Sequence, residues 1–182
     1  MIWKDENKYD TFIKTASSQW NVPVSLIKAV IAKESSFNPD AFRPEPQIND
    51  GSWGLMQLLF RTAKNLGYPG SPEGVKDPQV NILYGTKLLA ANLKQSKGKL
   101  DIAVSAYNAG FSGQRPNDAK RNDKGEISNQ EYVNDVLVYK SYFEGRTTED
   151  EVKKYKKTKW IKPTILSILP LLLIGGIILW SR

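Results

Sequence analysis

The stretch Val22 to Pro39, Val-Pro-Val-Ser-Leu-Ile-Lys-Ala-Val-Ile-Ala-Lys-Glu-Ser-Ser-Phe-Asn-Pro, decides how this chain is read. It predicts one helix that ends in an acid. Pro23 suits a first-turn position, because its missing N–H would have had no partner there. Leu26, Ile27, Val30 and Ile31 recur at helical spacing. Glu34 lies seven, four and three residues after Ile27, Val30 and Ile31, so it continues the apolar face. Pro39 limits the helix, since the residue before a proline is pushed out of the helical region. The carboxylate is therefore expected near a helix end, facing core or a cleft. Partial burial there disfavours the charged form and raises the pKa, as a general acid requires. The competing reading is a glutamate whose tip turns to solvent at the helix end.

Composition removes several chemistries. The 182 residues make room for one domain of common size, with about thirty residues to spare. The chain has no cysteine and no histidine. Disulfides, thiolate nucleophiles, Ser-His and Cys-His catalysis and the usual zinc sites are excluded. Acid–base chemistry must use Asp, Glu, Lys or Tyr. The net charge of +7 is unevenly spread. Residues 1–145 hold 18 Lys and Arg against 16 Asp and Glu, whereas residues 146–182 hold 8 against 3. The body is nearly neutral, so no nucleic-acid partner is expected.

The tail carries the rest of the charge and a different signal. Thr164 to Trp180 is 17 residues without a charge. At about 1.5 Å per residue it would span roughly 25 Å, at the short end for a membrane helix. Trp160 and Trp180 bracket it, and six lysines from Lys153 to Lys162 precede it, suited to interfaces and anionic headgroups. Pro170, Gly175 and Gly176 are tolerated in lipid. The other reading is a buried helix of the soluble domain, but apolar residues surround the whole helix instead of one stripe. The expected organisation is a catalytic domain over 1–145, a basic juxtamembrane linker over 146–162 and one transmembrane helix over 163–180.

Elsewhere the patterns are helical. Tyr9, Phe12, Ile13, Ala16 and Trp20 mark a first amphipathic helix. Residues 40–53 read as a polar loop, and Gly54–Leu66 as a helix. Asp77-Pro78 is a helix-start signal, with Asp as N-cap and Pro at the first position. Leu100–Asn108 is a short helix closed by Gly110, and Glu131–Phe143 is a last soluble helix. No alternating strand pattern of useful length occurs, so the expected class is all-α, with about six helices before the tail.

These motifs, in this order, resemble the Slt-type lytic transglycosylases. Glu34-Ser35-Ser36-Phe37-Asn38-Pro39 resembles that family's ES-x-F-NP signature, and Gly54-Leu55-Met56-Gln57 its GLMQ motif. Asp77-Pro78 with Asn81-Ile82 and Gly85 resembles its DP-x-x-NI-x-x-G helix. Ala106-Tyr107-Asn108-Ala109-Gly110 matches AYNAG, and Tyr132-Val133 resembles the closing YV helix. There are departures. Leu59 and Phe60 stand where the family usually has Met-Pro, Ser128 stands where it often has Glu, and the loop between Glu34 and Gly54 is longer than in many members. Glu126 and Glu131 are both candidates to replace the missing Glu.

The resemblance implies a lysozyme-like helical fold that cuts the β-1,4 bond between N-acetylmuramic acid and N-acetylglucosamine in peptidoglycan glycan strands, with no cofactor or metal. It implies Glu34 as the catalytic acid, with Ser35, Met56, Gln57, Tyr107, Asn108 and Tyr132 in substrate binding. On the residues alone, Tyr107 is either a core aromatic or a group that orients Glu34, and Asn108 is either a helix-end residue or a sugar contact. Most glycosidases use two carboxylates. One suffices if the substrate's 2-acetamido oxygen supports C1 while Glu34 donates, then accepts, a proton. The product is then a 1,6-anhydro sugar. A goose-type lysozyme hydrolase is the alternative, with Asp50 or Asp40 positioning a water and Asp50 the candidate second carboxylate. An inactive wall-binding or membrane-scaffold protein is another.

The lysines on the catalytic-domain side of the tail favour a cytoplasmic domain in a bacterial membrane. No apolar leader is visible in Met1-Ile2-Trp3-Lys4-Asp5-Glu6 to oppose that. Peptidoglycan lies on the other side. A virion membrane delivered to the wall, or a lysis enzyme released when the host membrane fails, would resolve the conflict. The expected placement is a single-pass protein with a C-terminal anchor in a virion or host membrane.

Overall fold

The decisive stretch forms the buried axis of the molecule. In the computed structural model, which describes residues 1–113 and 117–160, it is the helix α2 (Val24–Glu34). Pro23 stands just before the first turn, as the N-cap. Eight consecutive residues, Ser25 to Ala32, are buried, so α2 is covered on all sides and not along one stripe. The cover comes from α1 (Asp10–Trp20) and α6 (Gln130–Phe143). Its buried polar groups are paired. The Lys28 ammonium lies 2.6 Å from Asp10 and donates to Asn7 at 2.9 Å, and the Ser25 hydroxyl donates to Glu144 at 3.1 Å. Unpaired, a buried ammonium would be strongly destabilising.

The end of α2 is forced by two residues in the left-handed region, Ser36 (φ 54°) and Phe37 (φ 66°). Such a conformation costs of order 1–3 kcal/mol for a residue with a side chain. Burial of Phe37 against Trp3 and Phe143, with ring centroids 6.1 Å away in each case, offsets it. The chain thereby turns away directly after Glu34 and leaves its carboxyl at a helix end.

The expectation of an all-α domain is corrected here. The molecule is mostly helical, with a small three-stranded antiparallel sheet, β1 (Phe42–Glu45), β2 (Asp50–Trp53) and β3 (Leu58–Leu59), in the order β1-β2-β3. Phe42 pairs with Trp53, Glu45 with Asp50, and Ser52 with Leu59. Strands of two to four residues are too short for a period-two pattern to emerge, and the polar composition of 40–53 is that of a loop. A 3-10 turn over Pro46–Ile48 and a left-handed Asn49 (φ 49°) close the hairpin.

The helix expected over Gly54–Leu66 is accordingly shorter: α3 covers only Phe60–Asn65. Gly54 (φ 69°) and Gln57 (φ 46°) are left-handed, which no continuing helix permits. A side chain at Gly54 would meet Asn81 at 2.8 Å. Asn81 is fully buried on α4 (Pro78–Gln95), and it holds this turn. Its Oδ1 accepts from Met56 N–H at 2.7 Å, and its Nδ2 donates to the carbonyls of Trp53 (2.7 Å) and Val75 (2.9 Å). Asp77 caps α4 as expected, accepting from Val80 N–H at 3.0 Å. The helix α5 (Leu100–Ala109) stops at the left-handed Gly110 (φ 71°).

Much of the stretch expected as a linker is a helix, α7 (Glu149–Trp160), that lies against α6. Thr148 and Glu151 form a reciprocal capping box, with Thr148 N–H donating to Glu151 at 2.7 Å and Glu151 N–H to the Thr148 hydroxyl at 3.3 Å. Val152 is fully buried, and the Lys156 ammonium lies 4.3 Å from the Trp3 ring centroid. The density of lysines masks this anchoring face, because a long lysine stem covers apolar surface while its charge reaches water. The expected membrane span over 163–180 lies outside the described residues. Among the described residues, no helix is long and apolar enough to cross a membrane.

Candidate active site

A cleft of about 250 Å³ opens between the small sheet and the helices. Glu34 reaches it from the end of α2, Arg43, Glu45 and Ser52 from the hairpin, Gln57 from the turn before β3, and Tyr107 and Asn108 from α5. Four of the residues expected at the site, Glu34, Gln57, Tyr107 and Asn108, thus line one cleft. Ser35, Met56, Tyr132 and Asp50 do not line it.

Tyr132 is the direct partner of the acid. Its hydroxyl donates to Glu34 Oε1 at 2.6 Å from α6, 98 residues away in sequence. Glu34 is partly exposed through the cleft, while surrounding atoms take most of the water from its carboxyl. Desolvation raises the Glu34 pKa from 4.5 to about 7. The Tyr132 hydrogen bond and the charges of Arg43 and Lys33 act in the opposite direction and lose to burial. The negative end of the α2 dipole also disfavours a carboxylate at this position. At neutral pH the group is poised to give a proton and to take one back.

Tyr107, read as a candidate to orient Glu34, donates instead to the Met56 carbonyl at 2.9 Å. It is close enough for the Glu34 charge, together with burial, to hold its hydroxyl well above the ordinary value, so it stays protonated. Its role is to brace the turn that carries Gln57. Met56 is fully buried, and its sulfur lies where a side chain at Gly85 would stand, 2.5 Å from that Cβ position. The Ser35 hydroxyl donates to the Leu55 carbonyl at 2.7 Å and so ties the end of α2 to the same turn. The Gln57 side-chain N–H₂ donates to the carbonyls of Ala41 (3.1 Å) and Gly54 (3.0 Å), so this amide ties the hairpin to the turn while lining the cleft. Asn108 is exposed, and its Oδ1 accepts from Asn129 at 3.0 Å.

Asp50, the candidate second carboxylate, has both oxygens engaged by backbone. Oδ1 accepts from Gly51 N–H (2.7 Å) and Phe60 N–H (3.2 Å), and Oδ2 from Arg61 N–H (3.0 Å). It caps the start of α3. This explains the departure at Phe60, because the proline usual there has no N–H to give. Asp40 is 86% exposed beside Lys76 and lies outside the cleft lining. The second acid in the cleft is one that the sequence did not single out, Glu45. Its Oε1 accepts from Arg43 (2.7 Å) and the Ser52 hydroxyl (3.2 Å), and its Oε2 from Gln47 (2.9 Å). Neither Glu126 nor Glu131 lines the cleft: Glu126 accepts from Asn122, and Glu131 pairs with Lys159. Asn129, also unforeseen, links α5 to α6 by accepting from the Ser105 hydroxyl at 2.6 Å. Only the fold brings Arg43 and Glu45 to the cleft beside Glu34 and sets Asn129 against Asn108, and nothing in their sequence surroundings marks them.

Tyr132→Phe should lower kcat by about 10–100-fold, the loss expected for one hydrogen bond to a charged group. It should also move the Glu34 pKa further up, since the lost bond lowers it. Tyr107→Phe should leave that pKa nearly in place and lower the melting temperature instead. Titration of the Glu34 carboxyl and melting curves of both variants, with turnover measured beside them, check the pair.

Comparison with known proteins agrees with this geometry. The model of the Transglycosylase SLT domain matches residues 11–130. The transglycosylase of Enterobacteria phage PRD1 is 38% identical over 98 residues, covering 54% of this chain and 33% of that protein. The soluble lytic murein transglycosylase of Escherichia coli K12 is 31% identical over 151 residues, covering 74% of this chain and 23% of that one. Among solved structures, the 70 kDa soluble lytic transglycosylase of Escherichia coli superposes with a TM-score of 0.60 at 30% identity, over 79% of this chain and 26% of that one. The chain thus spans about a quarter to a third of the length of these relatives. Over residues that include the acid, the hairpin, the turn and α5, the chain belongs to the transglycosylase SLT domain family.

Proposed function

We propose that the chain cleaves the MurNAc-β-1,4-GlcNAc bond of peptidoglycan as a lytic transglycosylase, leaving 1,6-anhydro-MurNAc ends. The observation that carries this reading is the difference between Glu34 and its neighbouring acids. Glu34 faces the cleft with a pKa near 7 and one hydroxyl partner. Both oxygens of Glu45 and of Asp50 are engaged by donors. In this reading one carboxyl serves both steps. Protonated Glu34 gives its proton to the leaving O4 as the C1–O4 bond breaks. The substrate's acetamido oxygen supports C1. The Glu34 carboxylate next takes the proton of the C6 hydroxyl, and O6 closes onto C1. One bond breaks, one forms, no water is consumed and the acid ends as it began. The goose-type hydrolase reading loses the two residues expected to position its water, because Asp50 caps a helix and Asp40 stands outside the cleft.

The same reading extends to placement. The uncharged stretch 164–180, the lysines before it and a phage transglycosylase among the relatives support a membrane-anchored enzyme carried by a virion or released at lysis.

Glu34→Gln should abolish release of fragments from purified sacculi, with a loss of about 10⁴ in rate or more, because one group supplies both acid and base. Mass spectrometry of wild-type products should find anhydro ends; reducing ends would identify a hydrolase. For placement, spheroplasts expressing the full chain should protect the catalytic domain from added protease. Digestion from outside would place the domain on the wall side and remove the case for delivery by a virion.

A further inference from the structure

The family match ends at residue 130, yet the contacts that surround Glu34 continue past it. On α6, one turn from Tyr132, Asp135 is 1% exposed. An isolated buried carboxylate is costly, so its partners matter. Three donors converge on it. Tyr155 of α7 donates to Oδ1 at 2.9 Å, and Lys159 of α7 donates to Oδ2. The third is Lys33 of α2, whose ammonium lies 2.6 Å from the same Oδ2. Lys33 directly precedes Glu34, and its ammonium is 5.8 Å from the centroid of the Tyr132 ring, whose hydroxyl holds Glu34. One carboxylate therefore connects α7 to the residue beside the acid.

We propose that Asp135, held from α7 by Tyr155 and Lys159, is a positioning residue for the cleavage that keeps the Lys33 ammonium beside Glu34 and Tyr132, so that α7 is part of the active-site construction without touching substrate. This rests on Glu34 as the acid. The Lys33 ammonium pairs with Asp135 at 2.6 Å. The Lys33 charge is thereby kept off Glu34 as a direct partner but near enough to act through space. The Asp135 carboxyl would be raised by burial, but the bonds from Lys159, Lys33 and Tyr155 hold it below the ordinary range, so the cluster is charged at neutral pH.

The groups that face the pair are these. Glu34 meets Tyr132 from α6, Tyr107 from α5, Arg43 from β1 and Lys33 from its own helix. Asp135 meets Lys33 from α2, Tyr155, Lys156 and Lys159 from α7, and Tyr132 and Tyr139 from α6, while Lys159 also pairs with Glu131 at 2.7 Å. Removing a cation from this set favours the neutral form of Glu34, and removing the anion favours its charged form.

The experiment is titration of the Glu34 carboxyl by ¹³C NMR in the full chain in detergent micelles, with the alkaline limb of kcat/KM measured beside it. Lys33→Met should move the Glu34 midpoint up by roughly half a unit or more. Lys159→Met should move it in the same direction by less, and Asp135→Asn should move it down. The alkaline limb should follow in each case. A helix α7 that only props up α6 would lower the melting temperature in these variants and leave the midpoint unchanged; that result overturns the proposal. Should Asp135→Asn fail to fold, the two lysine variants decide, since those side chains are 28% and 24% exposed and tolerate replacement. Activity in Glu34→Gln would instead overturn the acid assignment, whatever the titrations give.

Discussion

Everything at the site depends on taking water away from one carboxyl. Glu34 ends a helix buried on all sides, and desolvation is the largest influence on its proton. The cost falls on stability, with a definite sign. The folded pKa of about 7 lies above the ordinary 4.5, so the folded state binds the Glu34 proton more tightly than the unfolded chain does. The contribution of this group to stability is therefore full below about pH 4.5 and is lost as the pH rises through 7. The fold bears that loss because α2 is otherwise apolar and paired, with Lys28 and Ser25 satisfied by Asp10 and Glu144.

The remaining parts fix where the acid points and what it faces. Left-handed Ser36 and Phe37 end α2 and send the chain out to the hairpin. Gln57 and Asn81 then bring it back, one tying the turn to Ala41 and the other pinning Met56 and Trp53 to α4. Tyr107 rests on that same turn and Tyr132 on the acid, so two tyrosines that look alike in sequence do different work. The hairpin contributes a carboxylate whose oxygens are already bonded, which leaves Glu34 as the group poised for proton transfer.

Much of this was legible in the residues. The buried helix ending in an acid, the Asp77 cap, α5 with its glycine stop and α6 all follow from spacing and capping chemistry. The sheet was not, since its strands are too short to show a period and its loop-like composition points elsewhere. Partner choice was not either. That Tyr132 and not Tyr107 meets Glu34 follows from α6 packing along α2, and Asp50 became a cap only because the hairpin returns it to the start of α3. The docking of α7 was hidden for a different reason: its contacts are made by Val152, Tyr155 and lysine stems within a strongly basic run.

Proton transfer at the cleft depends on the protonation of Glu34. Its direct measure is the ¹³C carboxyl titration of Glu34 in the unsubstituted chain. A midpoint near 7 is expected, far above the ordinary carboxyl range. A midpoint near 4.5 would mean a solvated, ionised glutamate at neutral pH, and a single-carboxyl acid and base at this position would be contradicted.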